Sequence, residues 1–385
     1  MKKILIITTL IVVLYAFTAV QVYAVTIGDM VKRNMESADM GSLDNIITED
    51  EVILPDFEFS DTAQMFAAGV VPFDTGDLLS GILKSFFSEL YVSLALLIKI
   101  VAIAVIFSLL NNMRSNFSSE GVSNTAFLVC YVLLAGVMIE SFIQIASLAQ
   151  AVVSGITTFV SGVVPIIITT MMTAGEISTA TAINPIILLS TNVVTNVVNN
   201  FLLPIYFAIA VLSVVDNLNE KFPITKMTDV LKKTAKWVLG LMMTIFVGLL
   251  GICGFTSSIL DGTAGKATKY VVSSFVPIVG GVLSETVDTV AGCSIVMKNA
   301  MGSAGIIAII VICLTPILKA AAVSAMFHLT SAVVEPICDS RISKTISSIG
   351  SVIGLMAVTM IVVALMFIIC VTMMIGLGNN AAMLR

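Results

Sequence analysis

Apolar residues in this chain arrive in long blocks, and the polar positions between them fall at matching places in two consecutive stretches. The first two blocks cover 90–110 and 125–145, separated by the polar turn Asn111-Asn112-Met113-Arg114. Each is long enough to cross a bilayer core of roughly 30 Å as a helix. Beyond residue 150 a pattern recurs. Val160-Ser161-Gly162-Val163-Val164-Pro165 is echoed by Val272-Ser273-Ser274-Phe275-Val276-Pro277, and Leu202-Leu203-Pro204-Ile205 by Leu314-Thr315-Pro316-Ile317. Pro165 and Pro204 thus return as Pro277 and Pro316, each 112 positions later, while Gly240-Leu241-Met242 returns as Gly354-Leu355-Met356 at an offset of 114. Two prolines held in register favour duplication over a coincidence of apolar composition.

Each copy reads the same way. A short apolar stretch broken by proline (155–172 and 271–283) precedes a small, polar stretch (173–180 and 292–305). A span with a central proline follows (192–215 and 304–327), then a basic connector and a last span (237–260 and 350–377). The pattern predicts an all-α polytopic membrane protein with two tandem repeats containing proline-broken short segments. Its expected divisions are the first two transmembrane helices within 90–150, repeat one over 151–262, repeat two over 263–379 and a tail over 380–385.

Charge chooses an orientation. The first connector, 216–236, carries Lys221, Lys226, Lys232, Lys233 and Lys236, and its counterpart carries Arg341 and Lys344. Lys and Arg collect in cytoplasmic loops, so both connectors are expected inside. Copies pointing the same way must each cross an even number of times. The short proline segments are therefore expected to dip in and return, leaving six spans with the C-terminus outside. In the first connector Ile224, Met227, Val230 or Leu231, and Val238 share one helical stripe, with lysines elsewhere and Trp237 at the boundary. That suits a helix lying in the headgroup layer or one binding a partner.

Composition agrees, at 58% hydrophobic and 11% charged residues with mean hydropathy +1.09; a water-soluble globule is excluded. The beginning of the chain reads as a secretory signal over 1–24. Lys2 and Lys3 precede an apolar stretch, and Val22-Tyr23-Ala24 predicts cleavage between Ala24 and Val25; an uncleaved first membrane helix is the alternative. Residues 25–89 carry a net charge of −10, against +3 for residues 90–385. This acidic segment is expected outside the cytoplasm, solvated or docked on a partner.

Charges within apolar spans cost about 2.5–3.5 kcal/mol each on insertion scales. Lys99, Glu140 and Lys319 are such residues, and Lys99 with Glu140 could pair between neighbouring helices. Asn192, Asn196, Asn199 and Asn200 fall on one helical face that must meet another helix or water. Ser324, His328, Ser331 and Glu335 make a similar face in the second copy. These residues are read either as helix contacts or as the lining of a polar path, with a proton-relay role for His328 as the sharper version. Gly248, Gly251, Gly254, Gly350 and Gly354 offer small surfaces for helix packing. Enzyme signatures are lacking: one histidine cannot build a multi-His metal site, and the six cysteines show no ligand spacing. Asp261-Gly262-Thr263-Ala264-Gly265-Lys266-Ala267 lacks the first glycine and the Ser/Thr of a P-loop. No cofactor and no nucleic-acid partner are expected.

Almost the whole chain, and most specifically 237–305, resembles a known family. The stretch Trp237-Val238-Leu239-Gly240-Leu241-Met242-Met243-Thr244-Ile245-Phe246-Val247-Gly248-Leu249-Leu250-Gly251 leads into Asp261-Gly262-Thr263-Ala264-Gly265-Lys266-Ala267-Thr268-Lys269-Tyr270. Phe275-Val276-Pro277-Ile278-Val279-Gly280-Gly281-Val282-Leu283-Ser284-Glu285-Thr286-Val287-Asp288-Thr289-Val290 follows, then Gly292-Cys293-Ser294 and Lys298-Asn299-Ala300. These segments resemble the stage III sporulation protein AE family of endospore-forming bacteria. The resemblance implies a permease-like, non-enzymatic component of the sporulation channel between mother cell and forespore. It also implies partners from the same operon, among them a secretion-type ATPase and ring-forming ectodomain proteins, and a partner on the forespore side. The expected location is the mother-cell membrane surrounding the forespore, with the acidic segment between the two membranes. Two other readings stay open: a stand-alone secondary transporter using Glu140, Lys319 and His328, and an assembly platform without a path.

Overall fold

The computed structural model describes residues 58–70, 75–113, 120–216, 224–275, 280–338 and 340–383, with side chains described except at 75–79, 110–113, 120–127, 265–275, 280–288 and 377–383. The signal-like start with its Ala24–Val25 site, most of the acidic segment, and Pro277 lie outside the described residues.

The apolar blocks fold as helices: α1 Phe59–Ala67, α2 Thr75–Met113, α3 Glu120–Thr173, α4 Ile177–Val197, α5 Leu203–Asp216, α6 Thr225–Phe275, α7 Gly280–Val334 and α8 Ser340–Met383. No strand occurs among the described residues. A π-helical turn, Val198–Leu202, joins α4 to α5, and the Leu203 N–H donates to the Val198 carbonyl. Pro204 has no N–H to give the preceding turn, and the widened turn carries the chain into α5 without ending the run. Six units are long and apolar enough to cross a membrane: Ser80–Leu109, Leu128–Thr173, Ile177–Asp216, Thr225–Ala264, Thr289–Val334 and Ser340–Gly376. The chain is a multi-pass membrane protein by this criterion.

α7 and α8 form the central hairpin, with α2 and α3 against α7, α6 against α8, and α4 between α3 and α6. α1 lies on α7, where Phe59 meets Phe159 of α3 edge-on, ring centres 5.6 Å apart. Small residues permit the hairpin's close approach. A Cβ on Gly350 would come within 2.8 Å of the Phe327 Cβ, and one on Gly302 within 2.5 Å of Ile375. Ser324 Oγ donates to the Gly350 carbonyl at 2.8 Å. Gly248 and Gly251, by contrast, face open space.

The α5–α6 and α7–α8 connectors lie at one end of the bundle. Ser213 at the end of α5 and Ser348 near the start of α8 are 2.8 Å apart, and Lys232 of α6 donates to Ser348 at 3.2 Å. The α2 end joins them, since Ser108 Oγ donates to the Ile337 carbonyl at 2.6 Å.

Three expected details differ. Residues 155–172 do not dip into the bilayer and return, because they continue α3. Pro165 forfeits one hydrogen bond of the helix. Buried Val163, Val164, Ile167 and Ile168 hold the helix on both sides of it. The polar stretch 173–180 makes the α3–α4 turn, whereas 292–305 stays helical inside α7. The basic connector does not lie along the surface: residues 225–236 are the first turns of α6, continuous with its membrane part.

The α3–α4 turn has a defined chemistry. Gly175 sits at φ 82°; its N–H donates to the Met172 carbonyl and that of Glu176 to Met171, a Schellman ending. A side chain at this φ costs about 1–2 kcal/mol. Gly175→Ala should lower stability by about that amount, read as a shifted unfolding midpoint in mixed micelles.

Candidate functional site

Charges stop and restart at two levels of the bundle. In α7, residues 299–318 are charge-free, and the flanking Lys298 and Lys319 are 21 positions apart. At about 1.5 Å per residue that separation is about 32 Å, close to a hydrocarbon core of roughly 30 Å. In α6, residues 237–260 are charge-free between Lys236 and Asp261. The α4–α5 unit has no charge between Glu176 and Asp216, and α3 none beyond Glu140. In these helices an uncharged slab lies between two polar rims, while α2 carries Lys84, Glu89 and Lys99 within its apolar unit.

The rim at the connectors carries the exposed charges. Lys99, Glu140, Lys319 and His328 are all exposed, each on the connector side of its helix midpoint. Lys226, Lys233, Lys236 and Lys344 are exposed at the same end. Lys99 and Glu140 form no ion pair with each other, and no described hydrogen bond or ion pair links any two of Glu140, Lys319 and His328. His328 Nδ1 lies 3.4 Å from Ser347 Oγ.

Hydroxyls lock this end together. Tyr131 of α3 donates to the Val214 carbonyl at 2.7 Å and sits 3.1 Å from Thr345 Oγ1 of α8. Ser331 and Ser343 hydroxyls are 3.0 Å apart across the α7–α8 hairpin. Deeper in, Tyr206 and Thr359 hydroxyls are 2.7 Å apart. The Asp216 carboxylate accepts from the Ile224 N–H and, at 2.6 Å, from the Thr225 hydroxyl, closing the α5–α6 connector.

The opposite rim is buried, and sequence reasoning missed it. Lys298 Nζ donates to both oxygens of Glu176, at 3.0 and 3.2 Å, with side chains 0% and 2% exposed. Asp261 of α6, itself buried, accepts the N–H groups of Ser178 and Thr179 at 2.7 and 2.8 Å. These N–H groups open α4, where no earlier carbonyl can serve them, and a carboxylate there also meets the positive end of the helix dipole. The α3–α4 turn is thus bound to α7 by one charge pair and to α6 by another carboxylate. A signal existed in the sequence. Glu176, Asp261 and Lys298 each end a charge-free run, and charges at such limits must pair or reach water.

Within the slab lies an amide ladder on α4. Asn192 Nδ2 donates to the Leu188 carbonyl, Asn196 to Asn192, and Asn200 to the Oδ1 of Asn196, at 2.8, 2.8 and 3.0 Å. Asn192, Asn196 and Asn200 are exposed, while Asn199 is half-buried with its Oδ1 unsatisfied. The other side of α4 faces inward: Thr195 donates to Thr157 of α3 at 3.4 Å, and Thr191, Val194 and Val198 are buried. The ladder therefore turns away from the described helices of this chain. Pro165 and Pro204 are exposed and Pro316 is half-buried.

Among the described residues no three of His, Cys, Asp and Glu come together as a metal site. Four of the six cysteines are buried. The chemistry on view is hydrogen bonding and ion pairing that hold helices in register around an uncharged slab.

A family model described as Stage III sporulation protein AE matches residues 57–378. The Stage III sporulation protein AE of Bacillus subtilis (strain 168) is 24% identical over 353 residues, covering 91% of this chain and 88% of that protein. No solved structure matches the chain. With the matched region containing all six apolar units and both polar rims, the chain belongs to the stage III sporulation protein AE family, membrane proteins of sporulation.

Proposed function

We propose that this chain is a non-enzymatic, polytopic component of the channel joining mother cell and forespore, bracing the conduit within the membrane that surrounds the forespore. The carrying observation is the uncharged slab between two polar rims in a chain of this sporulation family. The exposed lysines of the connector end face the mother-cell cytoplasm in this reading, where a secretion-type ATPase of the same operon would act. The buried Glu176–Lys298 rim then faces the intermembrane space, on the same side as the acidic segment, ring-forming ectodomain proteins and the forespore-side partner. A stand-alone transporter would need Glu140, Lys319 and His328 on one path, and their exposure without mutual contact gives that reading no support. Clean deletion of the gene should arrest forespore development after engulfment, scored by microscopy and spore counts. Normal spore yield from the deletion strain would overturn the proposal.

A further inference from the structure

The amide ladder is out of place on a lipid-facing surface. Asn196 is near the middle of the Ile177–Asp216 unit, inside the run that carries no charge. A side-chain amide has two N–H donors and an acceptor oxygen. Along the ladder each described bond uses one N–H, so every exposed member keeps hydrogen-bonding capacity. Hydrocarbon offers nothing to satisfy it. Apolar shoulders flank the ladder: Leu189, Val193 and Phe201 are 67%, 51% and 45% exposed. Polar groups lined by exposed apolar side chains form a contact surface for another transmembrane helix.

We propose that two copies of this chain pair through the α4 face carrying Asn192, Asn196 and Asn200, about a two-fold axis along the membrane normal. The choice of a second copy follows from symmetry. All copies insert in the same direction, so a two-fold along the normal brings each asparagine to its own counterpart at the same depth. An amide is self-complementary, donating and accepting at once, so identical amides at one level satisfy each other. An isologous interface of this kind closes at two copies. The pairing does not depend on the channel reading.

The test uses the full-length chain in native membranes, with Asn192→Cys, Asn196→Cys and Asn200→Cys made singly. Mild oxidation should give a disulfide-linked species at twice the mass of the membrane-inserted monomer, well above the background of the untouched chain with its six cysteines. Leu133→Cys and Ile245→Cys, at exposed positions on α3 and α6, should stay at that background. In a second arm, two differently tagged copies bearing Asn192→Leu, Asn196→Leu and Asn200→Leu together should co-purify about tenfold less than unaltered copies, at unchanged membrane yield. Leucine suits lipid, and if yield falls the cysteine arm decides. Three results would overturn the pairing. They are no dimer at any of the three positions, a cross-link only to a protein of different mass, or labelling by a membrane-impermeant thiol reagent without a dimer, which indicates a water-filled path.

Discussion

Lys298→Met should lower stability by about 3–5 kcal/mol, because it leaves the Glu176 carboxylate buried without its cation. Glu176→Gln should cost less, since an amide keeps hydrogen-bonding capacity without a stranded negative charge. The double variant Glu176→Leu/Lys298→Met should recover most of the loss, as apolar side chains of similar volume often replace a buried pair without penalty. Equilibrium unfolding in mixed micelles, followed by the fluorescence of the single tryptophan, Trp237, measures all three. A single variant as stable as the parent would mean that the pair is open to water and that this rim is not closed.

Asp261→Ala should cost about 3 kcal/mol. It removes two charge-assisted hydrogen bonds and leaves two N–H groups at the α4 start without their acceptor. Asp261→Asn keeps one acceptor oxygen and should cost roughly half as much. Hydrogen exchange gives a local readout: the Ser178 and Thr179 amides should exchange faster in Asp261→Ala, while amides in the α7–α8 hairpin keep their protection. Uniform loss of protection would point instead to a general weakening of the bundle. The two sites are separable, because Lys298 fastens the α3–α4 turn to α7 and Asp261 fastens the next turn to α6.

The number of membrane units was legible because charge density alone marks them. Lys221 to Lys236 and Arg341 with Lys344 placed two connectors at one end, and the Ser213–Ser348 and Lys232–Ser348 contacts put them there. The helix breaks were less legible. Proline read as an interruption at Pro165, yet α3 passes through it, whereas Pro316 lies within α7 as its place at the centre of a span suggested. Packing on either side of a proline restores more than the lost hydrogen bond takes away, and no local rule contains that information. The chain widens near Pro204 instead, through a π turn that no residue pattern announced. For the asparagines, spacing gave the shared face of α4 but not its direction. Only the packing of Thr195 against Thr157 shows that the ladder points outward. Glu176 and Lys298 are 122 positions apart, and the interhelical contact between them could not be read from either neighbourhood.

The uninterrupted start of α6 sets how far its lysines stand from lipid. Lys226 precedes Trp237 by 11 positions, so a rigid helix holds that ammonium group about 16 Å beyond the tryptophan level. At physiological ionic strength counter-ions screen a membrane surface within about 8 Å. With Trp237 taken as the membrane boundary, Lys236 and Lys233 lie within reach of the headgroups and Lys226 lies beyond the screening distance. An acidic soluble protein approaching this end would meet that outlying positive charge before it reached the bilayer.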